Sequence, residues 1–564
     1  MLKVSNLSKR FPDGPVLEGV SFVLNAGERF GLVGPNGSGK STLLKIVAGC
    51  LRPDSGAVTL GPADRVGYLA QYPEDALGLT VAEALAASDP MLETARREME
   101  ASTAVLARPD LSPEDQDLAL ATYAAAAERF EQLGGYDFEH HAEAVRDGLG
   151  LREIEPDRIV ATLSGGQKTR LALARLLLSA PTILLLDEPT NYLDLPALLW
   201  LERFVASSQQ AAIIVSHDRR FLDQTVSGIL EIDAETHRLR AHPGTYSDYA
   251  ESKRREREKQ EAAYQDQVER IEAFEDQIRA LKQKARYTEH TTIHFHYRKI
   301  AKGVAKRAKA QERRLQRYMG EEERLERPED AKRLYLQDLT ETALKDRRLA
   351  VSAHGLRFDY DGTTVLDGVD LEVHGGDRLA LIGANGSGKT TLLRALAGDL
   401  PVDGTIRLGD GVRVGYLPQE QGAEGAAGRR TVLETFRAGV IGHEDEARAF
   451  LDKFLFTGDE VHRRVDQLSY GERSKLALAV LVASGANFLL LDEPTSHLDV
   501  SAVERIESAL ADYPGPLLVT SHDRFFLRRI GITGVLMLEN GRLRHLDDLD
   551  SYEAEVVTGR GAGR

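Results

Sequence analysis

Short apolar runs, each bounded by a polar turn, recur along this chain and predict buried strands. Arg29–Val33 and Arg378–Ile382 each lead into a glycine-rich loop and then into a helix-like segment. Two further runs end in Asp-Glu, while Ala211–Val215 and Leu517–Thr520 precede a Ser-His-Asp triplet. Short, bounded apolar runs are typical of parallel strands that are buried on both faces. The pattern therefore predicts an α/β fold.

A different periodicity marks the segment between residues 246 and 348. Its main periodic positions step by three and four, as on one face of a helix, and they are Tyr264, Val268, Ile271, Phe274, Ile278 and Leu281, then Ile300, Val304, Ala308, Gln311 and Leu315. We expect a helical hairpin here, with a tip loop at about 287–299.

The chain contains an internal duplication. GPNGSGKST at Gly34–Thr42 returns as GANGSGKTT at Gly383–Thr391, an offset of 349 residues. LSGGQ returns as LSYGE, LLLDEPTNYLD as LLLDEPTSHLD and VSHDRRF as TSHDRFF, all at an offset of 305 residues. The first copy thus carries 44 extra residues. The Ala-, Glu- and Leu-rich segment at about 83–132 predicts a helical arm inserted there.

These boundaries predict four segments: a first domain at 1–245, a linker at 246–348, a second domain at 349–547 and a short tail at 548–564. Among the 564 residues Cys50 is the sole cysteine, which excludes an intrachain disulfide. The longest charge-free apolar stretch, Leu476–Leu491, is shorter than the roughly 20 residues of a membrane helix. We expect a cytoplasmic protein without a membrane partner.

The two glycine-rich loops predict phosphate binding. A GxxxxGK[ST] loop between a strand and a helix directs backbone N–H groups at phosphate oxygens. Lys40 and Lys389 add a positive charge, and the hydroxyls of Ser41 and Thr390 are expected to ligate Mg²⁺. The expected ATP-binding loop residues are Gly34, Asn36, Gly37, Gly39, Lys40, Ser41 and Thr42 in the first copy, with Gly383, Asn385, Gly386, Gly388, Lys389, Thr390 and Thr391 in the second.

The Asp-Glu pairs predict a hydrolytic centre beside each loop. Their strands end where ligands of parallel sheets collect. Asp187 and Asp492 are expected to hold Mg²⁺ or its waters, whereas Glu188 and Glu493 polarise the attacking water. The remaining expected catalytic residues are the γ-phosphate sensors His217 and His522.

With LSGGQ added to these motifs, the sequence resembles the ATP-binding cassette proteins, with two cassettes on one chain. The resemblance implies head-to-tail pairing within a monomer. Ser469 and Gly471 then cap ATP bound by Lys40, and Ser164 and Gly166 cap ATP bound by Lys389. It also implies adenine stacking on Phe11 and Tyr360, and sensing of Mg²⁺ and water by Gln71 and Gln419. The second signature departs from the family pattern at Tyr470 and Glu472. Because both sites retain the lysine, aspartate, glutamate and histidine, we expect both to hydrolyse ATP, at rates that need not be equal.

The arm and the charged linker together resemble the ABC-F family, whose members act on ribosomes. This resemblance implies that the linker enters the tRNA exit site and points towards the peptidyl-transferase centre. The implied partners are large-subunit rRNA, exit-site proteins and the P-site tRNA. A transporter ATPase is the rival interpretation.

The charge of the linker supports an RNA partner independently. The whole chain carries a net charge of −16, yet Lys282–Arg317 contains twelve basic residues against two acidic ones. Lys and Arg interleaved with aromatic side chains are typical of RNA-contacting segments. The expected tip residues are Arg286, Tyr287, His290, His294, Phe295, His296, Tyr297, Arg298 and Lys299. In the family such a long tip is associated with antibiotic resistance by ribosome protection. A housekeeping translation factor is the alternative.

Overall fold

The computed structural model describes the chain apart from residues 13, 70–75, 109–110, 192, 291–294, 320–343, 345–346, 361, 420–427, 441–442, 455, 497, 499 and 559–564. The chain divides into two compact units. Met1–Ser247 and Arg333–Arg564 form the first unit, and Asp248–Lys332 form the second. The first unit therefore contains both sequence repeats.

The first repeat alternates short strands with helices, as the sequence pattern predicts. Its strands are β1 (Leu2–Phe11), β2 (Gly14–Leu24), β3 (Arg29–Val33), β4 (Ser55–Leu60), β5 (Val66–Tyr68), β6 (Ile183–Asp187), β7 (Ala211–Val215), β8 (Gly228–Ile232) and β9 (Leu239–Pro243). Its helices are α1 (Lys40–Val47), α2 (Val81–Ala86), α3 (Pro90–Leu106), α4 (Pro113–Gln132), α5 (Gly135–Gly148), α6 (Gly165–Leu178), α7 (Leu195–Ser207) and α8 (Arg219–Thr225). The helices α9 (Tyr246–His290) and α10 (Phe295–Met319) follow.

The second repeat has the same order of elements without the arm. Its strands are β10 (Leu349–Tyr360), β11 (Thr363–His374), β12 (Arg378–Ile382), β13 (Asp403–Leu408), β14 (Val414–Leu417), β15 (Phe488–Asp492), β16 (Leu517–Thr520), β17 (Gly534–Glu539) and β18 (Arg542–Leu546). Its helices are α11 (Lys389–Ala397), α12 (Val432–Gly439), α13 (Glu444–Lys453), α14 (Tyr470–Ala483), α15 (Val500–Ala511), α16 (Arg524–Arg529) and α17 (Leu549–Thr558).

Each repeat combines a six-stranded and a three-stranded sheet. The larger sheets have the orders β5-β6-β7-β3-β8-β9 and β14-β15-β16-β12-β17-β18, and the smaller ones β2-β1-β4 and β11-β10-β13. In the larger sheets only the last pair, β8 with β9 or β17 with β18, is antiparallel. Apolar side chains of α1 pack between the two sheets of the first repeat. This arrangement confirms the expected α/β class and aligns the carboxyl ends of the central strands along one edge.

The inserted arm is a helical hairpin made by α3 and α4. Arg129 near the end of α4 pairs with Glu98 of α3 at 3.0 Å, and Phe130 packs with Leu92 and Ala95. The two helices are therefore antiparallel, as expected. The arm begins later than the expected residue 83, because α2 has a counterpart in α12. Both helices open with the same Thr-x-x-Glu capping box.

The linker unit contains the expected helical hairpin, but its tip loop is shorter than expected. Helix α9 continues to His290 and α10 begins at Phe295, so the expected loop at 287–299 is wrong at both ends. The physical reason is that residues 281–300 include no proline or glycine that would end a helix. Only residues 291–294 separate the two helices, and they lie outside the described part of the chain.

Helices α9 and α10 pack through a narrow apolar seam. Ile278, Ala308 and Leu315 are buried there, at positions that the periodicity predicts. Lys282 pairs with Glu312, and the Arg314 guanidinium lies 5.6 Å from the centre of the Phe274 ring. None of the helices in the described ranges is both long and apolar enough to cross a membrane.

Candidate functional site: two nucleotide centres

Both glycine-rich loops connect a central strand to a helix, the context that the sequence predicts. In the first loop, Lys40 Nζ donates hydrogen bonds to the carbonyl oxygens of Gly34 at 2.8 Å and Pro35 at 2.9 Å. In the second loop, Lys389 Nζ donates to the carbonyl oxygens of Gly383 and Ala384, both at 2.9 Å. Each lysine therefore folds over its own loop, which places a positive charge beside the backbone N–H groups of the cradle.

Two serines provide a test of whether the loops suit an anion. Ser38 Oγ and Ser387 Oγ are buried in the middle of their loops, and neither has a hydrogen-bond partner among the described residues. A hydroxyl can donate to a phosphate oxygen. Because burying an unpaired polar group costs free energy, a phosphate in the cradle would supply the hydroxyl with a partner, and the nearby lysine would add a favourable charge. The loops therefore fit a polyphosphate such as that of ATP.

The glycine before the first P-loop lysine cannot carry a side chain. Gly39 has a φ of +99°, and a Cβ built on it would lie 2.6 Å from Val16 Cγ1. We predict that Gly39→Ala weakens ATP binding at this site more than tenfold, because a φ strain of roughly 1–2 kcal/mol adds to a displaced loop. Gly49→Ala is the matched control, with a φ of +77° but open space around its Cβ.

Titration with a fluorescent ATP analogue in a Lys389→Ala background measures this first site alone. Binding of Gly39→Ala equal to that of Gly49→Ala would contradict the prediction.

The two Asp-Glu pairs lie at the carboxyl ends of β6 and β15. Asp187 and Asp492 are the last residues of their strands. Glu188 and Glu493 follow with φ values of +51° and +47°, a conformation that non-glycine residues rarely adopt. Hydrogen bonds of their backbone N–H groups to the neighbouring strand hold this conformation. Strained backbone of this kind is typical of sites where a side chain must be held in a fixed direction.

A histidine lies beside each of these glutamates. His217 Nε2 is 3.1 Å from Glu188 Oε1, and His522 Nε2 is 3.2 Å from Glu493 Oε1. Burial raises the pKa of Glu188 to about 8, although the charge of Lys40 opposes the rise. A divalent cation entering the site would lower this pKa again, because positive charge favours the carboxylate. The arrangement can therefore convert Glu188 into a proton acceptor when its ligands are bound.

The residues expected to hold Mg²⁺ offer only oxygen donors. These are the hydroxyls of Ser41 and Thr390 together with Asp187 and Asp492. Mg²⁺ prefers one or two carboxylates together with substrate phosphates and water, so this donor set fits the ion. Gln419 lies on the same cavity as Asp492, while Gln71 is outside the described residues. The assignment of individual metal ligands stays a prediction.

A cavity of about 620 Å³ joins the two repeats around Lys389. Ser164 and Gly166 of the first repeat line it, opposite residues of the second repeat: Tyr360, Asn385, Gly386, Gly388, Lys389, Thr390, Thr391, Gln419, Asp492, Glu493 and His522. Asp194 Oδ2 of the first repeat also accepts a hydrogen bond from the backbone N–H of Asn385 at 3.2 Å. The structure thus brings together the expected residues of the second P-loop and the first signature. The reciprocal pairing of Ser469 and Gly471 with Lys40 stays a prediction.

Both signature serines cap a helix. Ser164 Oγ accepts a hydrogen bond from the backbone of Gln167, and Ser469 Oγ accepts one from that of Glu472. Glu472 also pairs with Arg463 at 2.7 Å. Although burial acts to raise it, the pKa of Glu472 is lowered overall by hydrogen bonds from Ser469 and by this arginine. The unusual carboxylate of the second signature is therefore charge-compensated, and its helix retains the same capped N-terminus as the first.

The remaining expected residues occupy equivalent places in the two repeats. Phe11 and Tyr360 are the last residues of β1 and β10, and the two residues are 40% and 46% exposed. In the linker, Tyr287 is exposed. His294 and the side chains of the other tip residues beyond Tyr287 lie outside the described part. Sequence reasoning missed Asp194, although its signal was present in the repeated LLLDEPTNYLD motif.

Comparison with known proteins adds the family. The profile described as ABC transporter matches residues 17–191 and 366–496, and a second profile with that description matches residues 232–335. ABC transporter F family member 2 of Arabidopsis thaliana is 32% identical over 99% of this chain and 80% of its own length. The chain belongs to the ABC-F family.

Two bacterial relatives match over similar lengths. The tylosin resistance ATP-binding protein TlrC of Streptomyces fradiae is 37% identical, covering 93% of this chain and 94% of the relative. The energy-dependent translational throttle protein EttA of Escherichia coli is 34% identical, covering 92% and 88%. A solved structure of the archaeal ribosome recycling factor aABCE1 has the same fold, with a TM-score of 0.61 and 20% identity over 98% of this chain and 92% of that one.

Membership of the ABC-F family defines the chemistry in general terms. ABC-F proteins are ATPases, so this chain is an ATPase whose two cassettes are of the type that binds ATP, generally with Mg²⁺. The family is associated with ribosomes. The geometry around Lys389 is consistent with this activity, because it combines a phosphate cradle, a carboxylate and a capped signature helix in one cavity.

Proposed function

We propose that this ABC-F ATPase binds the ribosome at the tRNA exit site and dislodges a ribosome-targeting antibiotic through the tip of its linker hairpin. The observation that carries the proposal is the concentration of positive charge on the linker of an otherwise acidic chain. The similarity to a tylosin resistance protein over nearly the full length of both chains supports the resistance role.

The described part of α10 shows how this charge is presented. Lys302, Lys306, Arg307, Lys309 and Arg313 are all exposed, while Ala308 and Leu315 face the seam with α9. A solvated helix face normally mixes both signs of charge, whereas this one is almost wholly basic. Exposed Lys and Arg side chains attract the phosphate backbone of RNA and release its counterions. Large-subunit rRNA and the P-site tRNA are therefore the proposed contacts.

The length of the hairpin suits a deep binding site. Helix α9 contains 45 residues, which corresponds to roughly 67 Å at 1.5 Å per residue. An element of this length can carry the aromatic and histidine residues at 287–299 into a narrow RNA cavity. Aromatic side chains stack on unpaired bases, so the tip would compete with or reshape a drug-binding pocket lined by bases.

The nucleotide centres would control when the hairpin is delivered. Lys40 and Lys389 bind the phosphates, and the signature of the opposite cassette completes each site when the cassettes close. Mg²⁺, when bound, supplies positive charge on the phosphate oxygens. Glu188 and Glu493 orient and deprotonate the attacking water, while His217 and His522 hold the glutamates and contact the γ-phosphate. Hydrolysis then removes the ligand that holds the cassettes together, and the protein leaves the ribosome.

Expression in a drug-sensitive bacterial host tests the function. We predict a severalfold rise in the inhibitory concentration of at least one peptidyl-transferase or exit-tunnel drug. A panel of tylosin and other macrolides, lincosamides, streptogramins and pleuromutilins measures it, with an aminoglycoside that acts elsewhere as the control drug. The Glu188→Gln/Glu493→Gln chain at equal expression is the control protein and should give no rise. Unchanged susceptibility across the panel would contradict resistance.

A housekeeping translation factor is the second candidate, favoured by the similarity to EttA. It shares the ATPase and the ribosomal site but predicts altered translation without a change in drug susceptibility. A transporter ATPase subunit is the third and weakest candidate, and it requires co-purification with a membrane protein.

A further inference from the structure

Two buried arginines cross the boundary between the cassettes in a pseudo-symmetric way. Arg219 Nη1 of the first cassette lies 3.2 Å from Glu507 Oε2 of the second, and Arg524 Nη2 of the second lies 2.6 Å from Glu202 Oε2 of the first. The side chains of both arginines are at most 5% exposed. The two pairs are related by the same offset of 305 residues as the catalytic motifs.

The position of each arginine connects two nucleotide centres. Arg219 follows His217 by two residues, and its partner helix α15 begins soon after Glu493. Arg219 Nη2 also donates a hydrogen bond to the carbonyl oxygen of Val500, the first residue of that helix, at 3.4 Å. The side chain therefore links the histidine of one centre to the segment that follows the catalytic glutamate of the other.

The second pair makes the equivalent link in the opposite direction. Arg524 follows His522 by two residues, and its partner Glu202 lies on α7, which begins directly after Asp194. Asp194 caps α7 through the backbone of Ala197 and also accepts a hydrogen bond from the second P-loop at Asn385. A shift of α7 would therefore displace both the partner of Arg524 and the hydrogen-bond acceptor of the loop that holds Lys389.

Burial makes these links stiff. A guanidinium and a carboxylate removed from water lose much stabilisation if they separate, because each would be left as an unpaired buried charge. The paired elements must therefore move together, or the interface must open to water. A small displacement caused by hydrolysis at one centre would be passed to the other instead of being absorbed by flexible side chains.

The two links are not identical. Arg220 forms a two-bond contact with Glu553 of α17 at 2.6 and 2.7 Å, and Glu553 also lies 3.9 Å from Arg524. The residue equivalent to Arg220 is Phe525, whose ring centre lies 4.8 Å from the Arg219 guanidinium. A second carboxylate, that of Glu553, thus lies near Arg524, whereas an aromatic ring, that of Phe525, lies near Arg219.

We propose that Arg219 and Arg524 are positioning residues that couple hydrolysis at the two nucleotide centres through their buried pairs with Glu507 and Glu202. Neither arginine needs to contact ATP. The inference rests on the proposed assignment of the two ATP centres, but it is independent of the ribosomal and antibiotic parts of the proposed function.

Single-site turnover of the full-length chain tests the coupling. ATP hydrolysis is measured for the parent, for Glu188→Gln and for Glu493→Gln. The quantity compared is the ratio of the sum of the two single-variant rates to the rate of the chain without these substitutions. If the centres are coupled, this ratio is about one fifth or less in the parent, which corresponds to the lower end of typical coupling factors. In a background where all four partners are methionine (Arg219→Met, Glu507→Met, Arg524→Met and Glu202→Met), the two rates should add up to the rate of that background.

A control pair separates coupling from the general effect of removing an arginine–glutamate pair. Arg544 and Glu555 form an arginine–glutamate pair at 2.5 Å that does not cross between the cassettes, and their side chains are 49% and 31% exposed. Arg544→Met/Glu555→Met should leave the ratio at the parent value. If the four-methionine chain does not unfold cooperatively, Arg219→Lys/Arg524→Lys replaces it, and the ratio should move part of the way. A ratio that is the same in all backgrounds, or additive rates already in the parent, would overturn the proposal.

Discussion

Glu188→Gln combined with Glu493→Gln is expected to reduce ATP turnover about a hundredfold or more, because removing a general base costs roughly two to four orders of magnitude. Glutamine keeps the size of the side chain but cannot accept a proton from the attacking water. ATP binding should remain, since the P-loop lysines and glycines are unchanged. The closed form should therefore persist on the ribosome, and co-sedimentation with ribosomes in ATP should increase over that of the parent chain.

Phosphate release and sucrose-cushion sedimentation measure the two effects in one preparation. Glu231→Gln is the matched control, since Glu231 forms a similar pair with His242 at 3.0 Å without belonging to the cavity around Lys389. It should leave both quantities unchanged. Full turnover in the double variant would refute the catalytic assignment, and a failure to co-sediment with ribosomes in ATP would remove the ribosomal interpretation.

Deletion of Thr288–His296 is the second change with a large expected effect. It removes the end of α9, the start of α10 and the connection between them. We expect protection against the antibiotic to be lost completely, because no aromatic tip would reach the drug pocket. ATP turnover without ribosomes should stay within about twofold of the parent, since the deletion lies in a separate compact unit. A drug-inhibited cell-free translation assay measures protection.

Two further variants test whether the basic side chains of α10 contribute to ribosome binding separately from the tip. Neutralising Lys302, Lys306, Arg307 and Lys309 with glutamine should weaken ribosome binding and reduce its salt dependence, because fewer phosphates are contacted. Neutralising Glu256, Glu258 and Glu261 in the first part of α9, where acidic and basic residues alternate, is the control and should not weaken ribosome binding. If the deletion left protection intact, the proposed role of the tip would be wrong.

Repeated motifs made the nucleotide centres predictable from the sequence, because each P-loop, carboxylate pair and histidine is a short local pattern that occurs twice. The pairing of Ser164 and Gly166 with the second P-loop came only from the family resemblance, and the cavity around Lys389 is consistent with it. Periodicity also gave the linker helices, whose seam contains Ile278 and Leu315.

Other features could not be obtained from local patterns. Arg219 and Glu507 are separated by 288 residues, so nothing in either segment indicates the contact. The tip is shorter than expected because aromatic and charged residues do not end a helix, and residues 281–300 include no proline or glycine. The arm starts later than expected because the capping box at Thr80 and Glu83 opens a helix common to both repeats, equivalent to the one opened by Thr431 and Glu434.

The cavity that joins the repeats has a genetic consequence. Because Ser164 and Lys389 line one cavity, a lesion in the first signature and a lesion in the second P-loop are expected to impair the same centre. A change in one half of the gene should therefore be tested by selection through the activity of a centre whose P-loop is encoded in the other half. The predicted pairing of the second signature with the centre at Lys40 has the corresponding consequence: suppressors of a defect at Lys40 should arise in the distant half of the coding sequence.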